Sequence, residues 1–476
     1  MKTTIQIPIH VLRAALAGLY PLVNQRTSLP ILSRVLIEQG NGVLRFAGND
    51  LDIHLSYTHR LEPEPITPLA KAMAAARWKG AGVQALTVPP SALKQAVQGA
   101  RNQLVNAVVT LTEDRAVWPV VGGEASDSFT AISPAEFPPC RESPAALPLA
   151  LGATARAAVT AAACCSSEDE TRYVLMGILF SGGDEKTAAG VVATDGRRLY
   201  REPVPALSGL GGDFIVPNKV LDLLGNAVFS ADWQMGFLPG VEADLKAKPP
   251  VQGCAPMMRV QCGQWDMTAR LIDGFFPNYR QVIPLPDPTW MGVALLGDAR
   301  ERLQKVLSQL PKAAACLTLG FTGDTLRVVG SPKGGSGQDD KAIYEAVVPG
   351  VLSECPFVIR VNPPFFRALV ATGEGHLWLL DEVSPLYFKA FAGAEYVVMP
   401  MRGGPPMALP DAEREALESQ WKGAAVKVDK SAGTVKGIVR NGKRLVAVVN
   451  FANHPSDVDT TVQIRELKRV AVKKAG

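Results

Sequence analysis

The chain lacks the sequence features of most enzymes, secreted proteins and membrane proteins. Its seven cysteines include no Cys-x-x-Cys pair, which is typical of reduced thiols in a cytoplasm rather than of a disulfide framework or a zinc site. Its five histidines show no metal-ligand spacing. There is no Walker loop, dinucleotide fingerprint or nucleophile elbow. No signal peptide and no run of roughly 20 apolar residues is present. We therefore expect a cytoplasmic, non-enzymatic protein that needs no cofactor and no metal.

The net positive charge of the chain comes from its end, whereas the rest of the chain has almost none. Of the 476 residues, 47% are hydrophobic and 20% are charged, which is typical of a globular protein of about three domains. The net charge is +4, but residues 403–476 hold 13 Lys and Arg against 8 Asp and Glu, a balance of +5. The remainder is close to neutral. This balance does not exclude nucleic-acid binding, because what matters is whether basic residues gather on one face.

A hairpin-like pair of apolar runs occurs three times in the chain, in residues 35–53, 178–199 and 317–330. Leu36 and Leu179 lie 143 positions apart, and Leu179 and Leu319 lie 140 apart. A period this long indicates repeated domains rather than a solenoid, whose units are much shorter. Copies of one domain favour a symmetric surface over a single catalytic cleft.

Each repeat contains two stretches with helical periodicity, separated by short β-rich runs with turn residues. The six stretches are residues 9–23, 89–104, 152–165, 217–227, 298–310 and 362–373. Each repeat is thus predicted to hold two helices and about eight strands, with one helix after the first strand of each half. The predicted class is α+β, with two helices packed on β-sheets in each repeat. The predicted domains are residues 1–143, 144–285, 286–402 and a small β-rich extension, 403–476.

The extension is predicted to begin with a short helix over residues 411–421 and to continue as strands. Asn441-Gly442 is a strong signal for a two-residue hairpin turn. The inserted loops of the body are predicted at residues 237–256 and 331–341.

Basic residues are spread over the six predicted helices, and two interpretations remain open for them. One is that they only solvate the outer helix faces. The other is that related helices line a common surface that meets phosphates, with contacts that depend on salt and not on sequence. The residues are Arg13, Lys94, Arg101, Arg156, Lys219, Arg300, Arg302, Lys305 and Arg367.

Two aspartates lie at equivalent positions of the first two repeats. Asp50 in NDLDIH and Asp195 in VATDGRRLY both follow a β-rich run, so a turn role explains both. A paired-carboxylate nuclease site with Asp52 is the alternative. Thr194, Arg198 and Leu199, beside Asp195, either flank an exposed hairpin or form one wall of a pocket.

Six segments of the chain resemble the bacterial beta sliding clamp family. They are RTSLPILSRVLIE (26–38), TRYVLMGILF (171–180), VATDGRRL (192–199), FIVPNKVLDLL (214–224), LIDGFFPNYRQVIP (271–284) and EYVVMPMR (395–402). They follow the order and spacing of the family over residues 1–402, and the third repeat before Glu395 is the least similar part.

The resemblance implies three clamp domains per chain, which form half of a six-domain ring. In that family two chains join head to tail as a homodimer, the helices line the hole, and duplex DNA passes through it. A clamp loader opens the ring, and the ring tethers the replicative polymerase, DNA polymerase III with its alpha subunit. No catalysis is required, and DNA is held by topology, so phosphate contacts can stay weak.

The resemblance also implies particular site residues. Arg26 matches a family residue that touches DNA, and Lys219 matches a basic residue at the start of a channel helix. A hydrophobic groove of the family captures short peptides of the Gln-Leu-x-Leu-Phe type from polymerases, the loader and repair proteins. Its matching positions are Leu175, Thr194, Gly196, Arg198, Leu199, Pro277, Val282, Val383, Val397 and Met399.

The chain departs from the family pattern at several positions. Arg197 stands where the family usually has His, Asn218 where it has a basic residue, and Pro385 where it has Ser. The segment QLPKAAACLTL (309–319) replaces a polar stretch, and the extension continues beyond the usual end of the family. An interaction scaffold with the clamp fold that does not encircle DNA therefore remains the alternative function.

Overall fold

The computed structural model divides the chain into two compact units. The first comprises Met1–Ala193 and Val204–Phe276, and the second comprises Thr194–Pro203 and Pro277–Gly476. The structure describes residues 3–23, 27–40, 42–61, 84–99, 107–120, 123–140, 144–185, 187–241, 253–332, 342–353, 356–401, 419, 425–428, 431–441, 444–451, 459–463 and 468–469.

The described helices match the six predicted helical stretches. They are α1 Ile9–Val23, α2 Pro90–Gly99, α3 Ala153–Ala163, α4 Asn218–Leu224, α5 Gly297–Ser308 and α6 Pro363–Ala371. Proline marks the start of three of them, since α2 and α6 begin at a proline and Pro217 precedes α4. Proline suits a helix start because its missing N–H would have no helical partner there.

The strands of the first predicted repeat are β1 Ile5–Pro8, β2 Val35–Gly40, β3 Val43–Asn49, β4 Ile53–Arg60, β5 Gln84–Val88, β6 Val108–Leu111, β7 Arg115–Val120 and β8 Gly123–Ser128. Those of the second are β9 Leu149–Leu151, β10 Gly177–Ser181, β11 Gly190–Thr194, β12 Arg198–Pro203, β13 Asp213–Pro217, β14 Trp233–Leu238, β15 Met257–Cys262 and β16 Trp265–Arg270.

The strands of the third repeat are β17 Met291–Leu295, β18 Cys316–Thr322, β19 Thr325–Ser331, β20 Tyr344–Pro349, β21 Leu352–Ser353, β22 Phe357–Val361, β23 Gly375–Leu379, β24 Leu386–Ala390 and β25 Glu395–Val398. Those of the extension are β26 Ala425–Val428, β27 Ser431–Asn441, β28 Arg444–Phe451, β29 Asp459–Gln463 and β30 Lys468–Arg469. Each half-repeat therefore runs strand, helix, three strands, as the sequence predicts, and only the third repeat adds a short strand, β21.

Antiparallel pairing organises the first unit. One sheet has the order β1-β6-β7-β8, and a second has the order β5-β2-β3-β4-β16-β15-β14-β9. The second sheet joins strands of two predicted repeats through the pairing of β4 with β16, in which Tyr57 lies opposite Trp265. In the same unit β10 pairs with both β13 and β11.

The second unit holds three antiparallel groups of strands. One has the order β12-β25-β24-β23-β17-β21, one has β20-β19-β18-β22, and the extension has β29-β28-β27-β26-β30. The three pairs of apolar runs that define the repeat in the sequence form the hairpins β2–β3, β10–β11 and β18–β19.

Apolar side chains at helical spacing build the core beneath these sheets. Helix α1 buries Leu12, Leu16 and Leu19 among others. Gly18 of α1 lies against Trp265, where an added Cβ would come within 2.4 Å of the indole ring. The glycine therefore permits close packing of α1 on β16.

The predictions for the extension are partly testable. Strands β27 and β28 form the predicted hairpin, whose last pair is Asn441 and Arg444. The turn residues between them and all but one residue of the predicted helix over 411–421 lie outside the described residues, as do most of the predicted loops over 237–256 and 331–341.

Candidate functional site: helix faces and an outer sheet face

Six of the seven described residues predicted to contact DNA are exposed to solvent. They are Arg13 on α1, Lys94, Lys219, Arg302, Lys305 on α5 and Arg367. Their charges are available to a polyanion, and no sequence-specific reading is expected from such contacts. Arg26 and Arg101 lie outside the described residues.

Two predicted lysines contact neighbouring elements of their own unit. The Lys94 Nζ on α2 lies 3.3 Å from the Tyr20 hydroxyl of α1 and 4.7 Å from the centre of its ring. The Lys219 Nζ at the start of α4 lies 2.5 Å from the Asp50 Oδ2. Both lysine side chains remain exposed to solvent. The ion pair neutralises part of the charge that Lys219 would present to DNA.

The guanidinium of Arg156 is part of the packing of its own unit. Its Nη1 lies 3.3 Å from the Phe229 carbonyl oxygen, and the group lies 6.0 Å from the centre of the Trp233 ring. The side chain is half-buried. This geometry supports a structural role, which the sequence did not predict.

Helices α5 and α6 cap each other with arginines. The Arg300 Nε on α5 donates to the Val370 carbonyl at the end of α6, at 2.9 Å. The Arg367 Nη2 on α6 donates to the Leu307 carbonyl at the end of α5, also at 2.9 Å. The last carbonyls of a helix have no helical partner and carry partial negative charge, so each guanidinium stabilises the helix that it reaches.

Arg302 is also held within the second unit. Its guanidinium lies 4.0 Å from the Asp298 carboxylate and donates to the Pro349 carbonyl at 3.3 Å. Its side chain is 47% exposed, so it remains accessible to solvent.

The two equivalent aspartates close the same kind of turn, as their position in the repeat predicts. The Asp50 Oδ1 accepts the N–H groups of Asp52 and Ile53. The Asp195 Oδ1 accepts those of Arg197 and Arg198 in the same way. Among the described residues, no three His, Cys, Asp or Glu side chains gather in an arrangement that could hold a metal ion.

The predicted groove residues fall into both units. Leu175 ends a short 3-10 helix, Glu170–Leu175, in the first unit, where it is buried. The other nine belong to the second unit: Thr194, Gly196, Arg198, Leu199, Pro277, Val282, Val383, Val397 and Met399.

Strands β12 and β25 bring part of the predicted groove together. Leu199 lies opposite Val397 in the ladder, and the Met399 N–H donates to the Arg197 carbonyl at 2.8 Å. Paired residues share one face of a sheet and alternate residues share it too. Leu199, Val397 and Met399 therefore lie on the same face, opposite the face of Tyr200 and Tyr396. Leu199 and Val397 are buried on this face, whereas Met399 is 43% exposed.

Arg198 is fixed in place beside this face. Its Nε donates to the Asp195 Oδ2 at 2.9 Å, and its guanidinium lies 4.4 Å from the centre of the Phe365 ring. The Thr194 hydroxyl donates to the Arg198 carbonyl at 2.7 Å. Gly196 supplies the turn with a φ of +83°. The conformation of this segment is thus set by its own hydrogen bonds.

Several of the predicted groove residues expose apolar surface. Val282 is 55% exposed, Val383 is 56% exposed and Met399 is 43% exposed. Exposed apolar side chains of this size suit the capture of Leu or Phe side chains of a peptide. Pro277 is exposed as well.

Among the departures from the family pattern, Asn218 has a structural role. Its Nδ2 donates to the Ser167 carbonyl at 2.9 Å, so it links the start of α4 to the segment after α3. Arg197 is exposed, and Pro385 is half-buried beside β24.

Sequence reasoning missed a polar and aromatic cluster on the same sheet face. The Glu395 carboxylate accepts hydrogen bonds from the Arg201 guanidinium at 2.6 Å and from the Tyr387 hydroxyl at 2.7 Å. Burial and the hydrogen bond to Glu395 raise the pKa of the Tyr387 hydroxyl. The Tyr387 ring stacks on Trp378, with their centres 5.5 Å apart. The alternation of residues in GHLWL and LYFKA indicates which side chains of each strand share a face. It does not show which residues of the two strands lie opposite each other, so the cluster could not be predicted from it.

No described helix is both long enough and apolar enough to span a membrane. This finding concerns the described residues alone.

Comparison with known proteins gives a consistent result for the body of the chain. No family model matches it. The beta sliding clamp of Caulobacter vibrioides strain NA1000 is 26% identical over 421 residues, which cover 84% of this chain and 100% of the relative. The beta sliding clamp of Escherichia coli K12 is 26% identical over 384 residues, which cover 79% of this chain and 93% of the relative.

A solved structure shows the same fold. The crystal structure of a DnaN sliding clamp (DNA polymerase III subunit beta) from Bartonella birtlesii, bound to griselimycin, matches with a TM-score of 0.64. The match is 21% identical in sequence and covers 84% of this chain and 100% of that one. The resemblance of this chain to the beta sliding clamps is thus confirmed, in sequence by these relatives and in fold by the solved structure.

Proposed function

We propose that the chain is a DNA sliding clamp that encircles duplex DNA and tethers a replicative DNA polymerase for processive synthesis. The observation that carries the proposal is the repeated fold, in which each half-repeat supplies one helix and its strands. Together with relatives that are matched along their full length and named beta sliding clamps, it supports a non-enzymatic role. Such a protein acts in the cytoplasm on DNA.

The clamp is proposed to work as a closed homodimer. β4 of the first predicted repeat pairs with β16 of the second, and β12 of the second pairs with β25 of the third. Each of these two pairings is a junction between neighbouring repeats. It joins the last strand of the first half of one repeat to the last strand of the second half of the next repeat. The same rule would pair β20 with β8 of a second chain, since both stand at sheet edges among the described strands.

Weak phosphate contacts suit the sliding role. Exposed Arg13 and Lys305 are free to approach DNA, whereas Arg156 and Arg367 donate to carbonyls of their own unit. A ring that holds DNA by topology needs no tight binding, and weak salt-dependent contacts permit movement along the duplex.

The sheet face of Leu199, Val397 and Met399, of which Met399 is exposed and the other two are buried, is proposed to bind peptides of partner proteins. The candidates are the alpha subunit of DNA polymerase III, the clamp loader and repair proteins that carry motifs of the Gln-Leu-x-Leu-Phe type. Apolar side chains on this face would bury the Leu and Phe anchors, and the fixed Thr194–Arg198 turn would supply a polar rim.

A primer-extension assay tests the proposed function. The chain, a clamp loader, ATP and the replicative polymerase are combined on a primed circular template with an excess of competitor DNA. The proposal predicts long products from single binding events only when the chain is present. Product lengths that do not depend on the chain would contradict it.

The second candidate is an interaction scaffold with the clamp fold that does not encircle DNA. One observation favours it. Seven of the basic side chains that were predicted to bind DNA are described, and five of these seven interact with other groups of their own unit. The five are Lys94, Arg156, Lys219, Arg302 and Arg367. A chain that stays monomeric at micromolar concentration would favour the scaffold over the ring.

A further inference from the structure

The turn that follows β3 faces two basic side chains of the second repeat, inside the first unit. The Asp50 Oδ2 lies 2.5 Å from the Lys219 Nζ at the start of α4. The Asp52 Oδ1 lies 4.0 Å from the Arg270 Nη1 at the end of β16, and both of these side chains are about half exposed. Of the two aspartates, Asp50 is therefore the one that holds its partner closely, and its ion pair links the first repeat to the second.

The Asp50 carboxylate is fixed in position and shielded from solvent. Its Oδ1 accepts the N–H groups of Asp52 and Ile53. Its side chain is 11% exposed, against 45% for Lys219, and its Oδ2 atom is buried. Within the part of the chain that the structure describes, no group other than the Lys219 ammonium pairs with this oxygen. Moving the ammonium away would leave a buried carboxylate oxygen without a partner, which is unfavourable.

The equivalent turn of the second repeat explains why Asp50 binds a lysine from another repeat. Asp195 uses its Oδ2 within its own turn, where it accepts the Arg198 Nε–H at 2.9 Å. Arg198 is the third residue after Asp195, whereas the third residue after Asp50 is Ile53, whose side chain has no donor. The second oxygen of Asp50 is therefore left for a donor from outside the turn.

This geometry limits what Lys219 can contribute to DNA binding. A phosphate that approaches from solvent meets the lysine, because the carboxylate lies behind it and is buried. The charge of the ammonium is already balanced by Asp50, so a phosphate contact there would release fewer counterions than contact with an unpaired lysine. A phosphate that captured the ammonium would also leave the buried oxygen unpaired.

We propose that Asp50 attenuates the grip of the clamp on DNA by holding the Lys219 ammonium in an ion pair that competes with the phosphates. The proposal rests on the proposed function of the chain as a sliding clamp. A ring that encloses DNA is retained without tight contacts, and weak phosphate contacts permit movement along the duplex. Asp50 is thus a positioning residue that sets how much charge the start of α4 presents to DNA.

The test measures binding of the full chain to a labelled linear duplex by fluorescence anisotropy, between about 50 and 200 mM salt. In Asp50→Asn the amide oxygen can still accept the two N–H groups of the turn, but the negative charge is removed. We expect the slope of log affinity against log salt to steepen by about 0.9, because the lysine becomes available to a phosphate. The affinity of Asp50→Asn relative to the unmodified chain should therefore rise by roughly 3.5-fold as the salt falls over this range.

Further variants separate release of the lysine from a general gain of positive charge. Lys219→Gln alone should change the slope little, because the ion pair already withholds this charge. In the double variant of Asp50→Asn with Lys219→Gln, the gain of Asp50→Asn should be lost. Asp222→Asn removes an exposed carboxylate from the same helix and so matches the change in net charge. It should give at most a small part of the gain.

The outcomes separate this proposal from the function on which it rests. No gain in Asp50→Asn, an equal gain in Asp222→Asn, or a gain that survives Lys219→Gln would overturn attenuation by Asp50. A slope that falls by about one unit in Lys219→Gln alone would also overturn it, since that lysine would then be fully available to DNA. An Asp50→Asn chain that is less stable but has an unchanged slope would make the ion pair a structural link between repeats. Loss of the unmodified chain from a loaded circular duplex at high salt would instead overturn the sliding clamp, whatever Asp50→Asn does.

Discussion

At the scale of single residues, Asp50 and Asp195 illustrate what a repeat in the sequence can predict. Their equivalent positions predicted one turn role, and both carboxylates accept two backbone N–H groups of the following residues. The next residue adopts a positive φ in both turns, +83° at Gly196 and 81° at Leu51. The leucine could not be predicted to adopt this conformation, because residues with a Cβ rarely do.

His54 is a half-buried titratable residue of the first unit. The Arg45 Nη2 lies 3.2 Å from its Nε2, and the Phe137 ring packs edge-on at 6.5 Å. Burial, and then the charge of Arg45, lower the pKa of His54 from 6.5 to about 4, against a smaller opposing effect of Asp266. The imidazole is therefore neutral in the folded chain at neutral pH.

This environment predicts a pH dependence of stability. Between pH 6.5 and pH 4 the unfolded chain binds a proton at His54 that the folded chain does not bind. The contribution of His54 to the free energy of unfolding is therefore complete above pH 6.5 and is lost as the pH falls to about 4, by up to about 3 kcal/mol. Urea unfolding across this range measures it.

The comparison is with His54→Gln, which removes the titrating group, and with His376→Gln at an exposed position. We expect a flatter pH profile in His54→Gln alone. A profile parallel to that of the unmodified chain would show that His54 titrates alike in both states.

At the scale of elements, the helices were predictable and their contacts were not. Apolar spacing and proline at helix starts gave α1 its bounds and placed the others within a few residues. The roles of Arg300 and Arg367 depend on carbonyls about 60 to 70 positions away in the sequence. A local sequence pattern cannot predict a hydrogen-bond partner so far away. The sequence therefore left only two interpretations of these arginines, exposure to solvent or contact with DNA.

The structure separates basic side chains that can serve DNA from those that serve the fold. Replacing Arg13 and Lys305 together by Ala should reduce the salt dependence of duplex binding, by about one unit of slope per lost phosphate contact. Fluorescence anisotropy of labelled duplex between 50 and 200 mM salt, roughly the range where such contacts are strongest, measures it.

Arg156→Ala is the matched comparison. It should leave the salt slope unchanged and lower the free energy of unfolding by about 1–3 kcal/mol, because it removes a charged donor from the Phe229 carbonyl. A large loss of slope in Arg156→Ala, with no change in the double variant, would contradict this assignment.

At the scale of the whole molecule, the repeat predicted the count and order of elements, while strand register supplied the junctions. The sequence contained β4, β12, β16 and β25 as β-rich runs, but their pairing across predicted domain borders is a property of the assembled sheets. The same limit hid the pairing of Leu199 with Val397, of Val397 with Tyr387 and of Tyr387 with Trp378. The sequence does not show which residues of distant strands lie opposite each other, and the structure does.

The junction rule predicts where a second chain binds. Val347 on the edge strand β20 is 59% exposed, so Val347→Lys should not disturb the monomer but would place a charge in a paired edge. We expect the unmodified chain to sediment as a dimer and Val347→Lys as a monomer. Leu352→Lys, on β21 in another sheet, is the control and should remain dimeric. A dimeric Val347→Lys would place the interface elsewhere.

Retention on DNA after loading tests the central claim most directly. The chain is loaded onto a nicked circular duplex, the salt is raised to weaken phosphate contacts, and the circle is then linearised with a restriction enzyme. A closed ring predicts stable retention on the circle and rapid loss from the linear form. Equal loss from both forms would contradict topological encirclement and favour the scaffold.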